Sequence, residues 1–228
     1  MLDAVIILKE YKQTTWYIVP ENTPAIIKHC SKCNQKSNYY CSEKFRINAN
    51  QSRVDIWLIY KCKKCDSTWK LAINKGIRPR DVPAGLFEQF IDNDKDLAWQ
   101  YAFDRQFLRQ HSCVVDYAGV GYVVQGVEAW DGPLHVRVVS PFIFDLKLSA
   151  LLAKALGVSV GQIKKLAESG MISASLDAWA SSQAASPSSS QRERPGSQRE
   201  RPALDAGTLE IDIMKHRIKS DFDVFLHL

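Results

Sequence analysis

Four cysteines in two C-x-x-C pairs constrain this chain more than any other feature. Cys30-Ser-Lys-Cys33 and Cys62-Lys-Lys-Cys65 stand twenty-eight residues apart. A tight turn lets two thiolates of one pair point at a single ion at about 2.3 Å, and a second such turn completes a tetrahedron. The spacing therefore predicts one structural zinc ion on Cys30, Cys33, Cys62 and Cys65. Lys28, Lys32, Lys61, Lys63 and Lys64 lie beside them. They favour the thiolate form and offset the charge of a four-thiolate centre.

Between and after the pairs the chain reads as β-structure. Val54 to Tyr60 alternates and is rich in branched and aromatic residues, which suits a strand. Thr68 to Ile73 is its expected hairpin partner. Two cysteine turns joined by strands make a zinc ribbon. Competing uses of the cysteines find less support. Disulfides need an oxidising compartment, and a redox C-x-x-C needs a helix opening from a βαβ unit. Cys41 has no second ligand nearby and is read as a spare thiol. Cys113 sits in a strand-like stretch and is read as a buried structural cysteine.

Charge follows the cysteines. From Lys28 to Arg80 there are thirteen Lys or Arg against three acids, while the whole chain carries only +5. That asymmetry fits a polyanionic partner such as nucleic acid, or an acidic protein met by the same basic face. The longest apolar runs are short, far from the ~20 residues of a bilayer span. The first residues lack a basic start and a cleavage site, so a secretory signal is not expected. A cytoplasmic location follows as the expectation.

The middle of the chain predicts mixed structure. Pro83 to Ile91 reads as a short helix, and Asp92 to Asp96 as a polar turn. Calcium is rejected there, because Leu97 and Phe103 occupy the sixth and twelfth places of an EF-hand loop. A buried helix is expected from Lys95 to Gln110. Two or three strands follow between Cys113 and Val139, turning at Gly119–Gly121 and Asp131–Pro133.

A helix pair comes next. Leu146, Leu148, Leu151, Leu152, Ala155 and Leu156 share one helical face, and Gly157 ends it. Ser159-Val-Gly-Gln162 is a capping box for a second helix, closed by Gly170. Residues 144–172 resemble the RNA-binding domain first named from ribosomal small-subunit protein four. The resemblance implies a second helix and sheet edge that contact phosphates of structured RNA. Matched by position, the candidate contacts are Lys154, Lys164 and Lys165. The segment 215–225 is similar to that family's closing strands and adds Lys215, Arg217 and Lys219. The hairpin after Gly170 is interrupted by an insertion, 173–207. It contains a Ser/Ala/Pro-rich stretch and the tandem repeat Ser190-Gln-Arg-Glu-Arg-Pro-Gly196, Ser197-Gln-Arg-Glu-Arg-Pro-Ala203. With few apolar residues to bury, it is expected to be disordered.

As a whole the chain resembles a bacterial family known only as domain of unknown function 1062. The matching stretches are Cys30–Cys33, Ser42–Ala49, Asp55–Cys62, Cys65–Trp69 and the helix pair. That resemblance implies no activity.

These readings combine into an α+β fold in three parts. They are a β-rich zinc-ribbon-like part (1–80), a helix and hairpin middle (81–140) and a small RNA-binding-like domain (141–228). The expected function is a non-enzymatic, zinc-containing protein that binds structured RNA. The alternative is a protein-interaction adaptor stabilised by zinc. No phosphate loop, nucleophile elbow or paired carboxylates point to catalysis or to a small-molecule substrate, and no membrane association is expected.

Overall fold

A computed structural model describes residues 11–50, 52–83, 85–129, 131–176 and 209–227. The fold is α+β, as the sequence predicts. The start of the chain and most of the insertion, including the tandem repeat, lie outside the described residues. The first part of the expected insertion is ordered strand: β9 spans Ile172–Leu176.

The chain divides into two compact units built from interleaved segments, where the sequence suggests three consecutive parts. One unit comprises Ile18–Val123 and Ser140–Asp145. The other comprises Met1–Tyr17, Val124–Val139 and Leu146–Leu228.

The Ile18–Val123 unit is organised by a five-stranded antiparallel sheet. Its strands are β2 (Ala25–Cys30), β3 (Gln35–Asn50), β4 (Arg53–Cys62), β5 (Thr68–Ile77) and β6 (Val114–Asp116), in the order β5-β4-β3-β2-β6. Strand β4 shows how sequence sets its two faces. Val54, Ile56, Leu58, Tyr60 and Cys62 are buried, while Asp55, Trp57, Ile59 and Lys61 between them are only partly covered. Period-two alternation sends successive side chains to opposite faces. Helices cover the buried face: α1 (Leu86–Asp92) and α2 (Lys95–Phe103) both contact β3. Phe90 and Leu97 pack with Val54 and Ile56; Ala98 and Ala102 pack with Leu58, Tyr60 and Leu71.

The long helix expected from Lys95 to Gln110 is two helices. Asp104 ends α2, its N–H bonding to Gln100 O, and its carboxylate then accepts from Gln106 N and Phe107 N at 2.9 Å. This caps α3 (Arg105–Gln110).

The other unit contains strands of a six-stranded sheet ordered β10-β9-β11-β8-β1-β7. Its strands are β1 (Lys12–Pro20), β7 (Tyr122–Gln125), β8 (Leu134–Val139), β9, β10 (Leu209–Glu210) and β11 (Phe222–Leu226). β1 runs parallel to β8 from Lys12↔Leu134 to Tyr17↔Val139, and β11 lies antiparallel to β8 and β9. Helix α4 (Leu148–Leu156) precedes α5 (Val160–Glu168), with Gly157 in the left-handed region between them. Leu148, Leu151, Leu152 and Ile163 are fully buried. The predicted capping box is present: Gln162 N donates to Ser159 Oγ at 3.2 Å, and Ser159 N donates to Gln162 Oε1 at 2.8 Å.

Candidate metal centre

Strand ends place the first cysteine of each pair. Cys30 closes β2 and Cys62 closes β4, and both are wholly buried. The turns that follow carry Cys33 and Cys65 back toward them. In the first, Cys33 N donates to Cys30 Sγ at 3.5 Å. In the second, Asp66 N donates to Cys62 O at 2.9 Å and Cys62 N to Ser67 O at 3.0 Å. Asn34 and Asp66 each follow the second cysteine of a pair and have positive φ. Asn and Asp are the non-glycine residues that best tolerate this region.

The result is four sulfurs on one point. All four Sγ atoms lie within 4.8 Å of one another, with Cys30–Cys65 at 3.6 Å and Cys33–Cys62 at 4.0 Å. A tetrahedron of sulfurs at about 2.3 Å from a central ion has edges of about 3.8 Å. The donor set and its spacing therefore fit a metal ion. Cys41 and Cys113 stand outside this group, and all six cysteines are free of disulfides. Burial pushes the Cys41 thiol up to about 12 and raises that of Cys113, which leaves both poorly nucleophilic.

Electrostatics within the cluster is uneven. Ser67 Oγ lies 3.2 Å from both Cys30 Sγ and Cys65 Sγ. Hydrogen bonding with Ser67 is the main cause that lowers the Cys30 thiol to about 5 and draws that of Cys65 below its usual value. Cys33 moves up to about 12, first through its hydrogen bond with Cys65 and then through burial. Sulfurs packed this closely divide between thiolate and thiol; a divalent cation would let all four ionise.

An aromatic wall backs the site. Tyr39 and Tyr60 both meet Trp69, with centroids 6.3 and 5.6 Å apart. Lys28 Nζ lies 5.0 Å from the centre of the Trp69 ring. The neighbouring Lys32, Lys63 and Lys64 are exposed, and Lys64 donates to Gln35 Oε1. Lys61 pairs with Asp66 at 3.4 Å.

The six candidate phosphate contacts all fall in the other unit. Lys154 is exposed on α4, and Lys164 and Lys165 are exposed on α5. Lys164 pairs with Glu168 at 3.7 Å, and Lys215 with Asp212 at 3.3 Å. Arg217 forms a backbone bridge with Lys147, and Lys219 is exposed. Lys164, Glu168 and Asp212 line a common cleft of about 380 Å³ together with Ile172 and Met214. Acid carboxylates thus share the surface that carries the candidate lysines.

Sequence reasoning misses Asn34, Asp66 and Ser67, the residues that shape and polarise the turns. The signal available is their position: an Asn or Asp directly after each second cysteine.

The chain belongs to the family described as Protein of unknown function (DUF1062), which matches residues 47–178, more than half its length. That stretch includes Cys62 and Cys65 but begins beyond the first pair. No curated protein and no solved structure matches the chain. Among the described residues, no helix is long and apolar enough to cross a membrane.

Proposed function

We propose that this is a non-enzymatic nucleic-acid-binding protein of the cytoplasm, with one structural zinc ion on Cys30, Cys33, Cys62 and Cys65 in a zinc-ribbon-like sheet. Its ligand in this reading is structured RNA, held through backbone phosphates. One observation carries the proposal: four thiols within 4.8 Å at the end of a basic sheet. Soft thiolate ligands in a tetrahedron favour zinc. Four protein ligands close the shell and leave no position for a substrate water, so the metal would serve folding rather than chemistry. A reducing compartment keeps such thiols free to bind it.

The nucleic-acid part rests on charge. The basic excess of Lys28–Arg80 surrounds the cysteine turns, and α5 presents Lys164 and Lys165, with Lys154 on α4. Two basic modules on one chain raise affinity by effective concentration even if each is weak. Phosphate contacts of this kind give salt-sensitive binding with little base preference.

The test is binding of the zinc-loaded full chain to structured RNA, single-stranded RNA and duplex DNA across a salt series. Affinity for RNA that falls with salt, and that falls further on Lys164→Ala/Lys165→Ala, supports the proposal. No binding at low salt removes nucleic acid and leaves the alternative, an adaptor whose basic face meets an acidic protein.

A further inference from the structure

The second face of the sheet, away from α1 and α2, carries an arrangement the metal does not explain. Register fixes its members. Arg46, Trp57 and Ala72 lie side by side across β3, β4 and β5, and Lys44, Ile59 and Lys70 form the next row. Lys44, Arg46 and Lys70 are exposed, while Trp57 is partly exposed. Lys70 Nζ sits 5.3 Å from the centre of the Trp57 ring. Among the described residues, neither Lys44 nor Arg46 makes an ion pair.

Glu43 and Asp66 are drawn to partners of their own, and Asp55, on the same face as Trp57, is held by the backbone of β5. Glu43, within the bulge between Cys41 and Lys44, reaches the helix-covered side of the sheet. Its Oε1 accepts from Trp99 Nε1 of α2 at 2.6 Å and pairs with Lys95. Asp55 accepts from Gly76 N at 2.7 Å, and Asp66 accepts from Tyr40 Oη and pairs with Lys61. Three cations therefore share this face with one indole, whose neighbours in register are Arg46 and the small Ala72, with Asp55 and Ile59 two residues away along β4. A neutral apolar partner would leave those charges unpaired, whereas a polyanion with flat apolar rings complements both features.

We infer that this face binds an unpaired nucleic-acid strand, with Trp57 stacking on a base and Lys44, Arg46 and Lys70 on the flanking phosphates. The inference rests on the nucleic-acid reading above and names the form of strand that this sheet takes. Duplexes bury their bases, so a stacking residue distinguishes single strands from paired ones. Lys70 has a flexible four-carbon stem, so it can leave the indole for a phosphate when a base arrives. Arg46, directly beside Trp57, is placed for the adjacent phosphate.

The experiment measures anisotropy of labelled oligouridine and of a labelled RNA duplex with the zinc-loaded full chain. Trp57→Ala is expected to weaken oligouridine binding roughly fivefold to a hundredfold while duplex binding stays within about twofold. Trp57→Phe, which keeps an aromatic face, retains most of the affinity. Lys44→Ala/Arg46→Ala, at exposed positions where folding is not at stake, lowers the salt slope for oligouridine by roughly 0.7 for each phosphate no longer neutralised. Oligouridine binding unchanged in these variants overturns the inference while leaving the nucleic-acid reading intact. Equal loss on both ligands overturns it too, and so does polyglutamate competing as well as oligouridine, which assigns the face to an acidic protein. Failure of the wild-type chain to bind either nucleic acid overturns both readings.

Discussion

Asn34 and Asp66 hold matching left-handed backbone conformations, φ 52° and 60°, each one residue past the second cysteine of its pair. The two turns are thus built alike, each a C-x-K-C followed by Asn or Asp. A left-handed residue at this point turns the chain out of the cysteine pair and into the next strand, β3 after Asn34 and β5 after Asp66. An L-residue with a branched Cβ resists that conformation.

The repeated turn gives a first prediction. Asn34→Val should cost roughly 1–2 kcal/mol of stability and weaken metal binding. Asn34→Gly should leave both close to wild type, since glycine enters the left-handed region without strain. Urea unfolding with metal content measured in parallel checks the pair.

Metal removal is the second. Chelation should lower the melting temperature, because zinc bound to the native state alone stabilises by about 3 kcal/mol at a free concentration of ~100 times its dissociation constant. Cys62→Ser should abolish stoichiometric zinc, whereas Cys41→Ser should retain it. Metal analysis of the purified variants, read against calorimetry, decides this. Retained zinc in the Cys62 variant would contradict a four-cysteine shell.

A third concerns close approach of backbone. Gly126 has φ +84°, and a Cβ there would stand 2.3 Å from Thr15 O. Gly126→Ala should destabilise by at least ~2 kcal/mol, from left-handed strain plus displacement of β1. Gly161, in α5, meets nothing nearer than Ser159 Oγ at 3.9 Å. Gly161→Ala should instead stabilise by up to about 1 kcal/mol. Chemical denaturation of both variants shows whether the signs oppose.

The fourth is a pH dependence. Burial, reinforced by the charge of Lys219, holds the His216 imidazolium pKa below its ordinary value of 6.5. The unfolded chain therefore takes up a proton before the folded one does. Stability should fall as pH drops through the unfolded value and level off below the folded one. His216→Gln removes that contribution, and denaturation midpoints compared across this range should show a flatter curve for the variant.

What the sequence made legible was local. The cysteine pairs, the alternation of Val54 to Tyr60 and the Ser159–Gln162 capping box all express themselves within a few residues, and the structure contains each. The break at Asp104 escaped because a single acid inside an apolar helical pattern looks like an exposed position until its carboxylate is seen capping the next turn. The pairing of β1 with β8 escaped for another reason. Lys12 and Leu134 are brought together only by the fold, and nothing in either segment names the other. The basic, aromatic face of β3, β4 and β5 was half legible. Trp57 was visible within the alternating stretch Val54 to Tyr60, but only cross-strand register places Arg46 and Lys70 around it.

The interleaving of the two units has a consequence for synthesis. Lys12–Tyr17 must wait for Leu134–Val139 before it has its parallel neighbour, whereas β2 to β5 and both cysteine turns are complete once Ile77 has emerged. The two ends of the Ile18–Val123 segment are tied together by Glu21 N to Gly121 O at 2.8 Å and Gly121 N to Asn22 Oδ1 at 2.8 Å. On a ribosome that delivers the chain from its start, both cysteine turns are complete while the part of their unit that follows Ile77 is still unmade. With zinc bound there as proposed, metal supply would act during translation, and a shortage would show first as nascent chains stalled in folding, ahead of any loss from the finished protein.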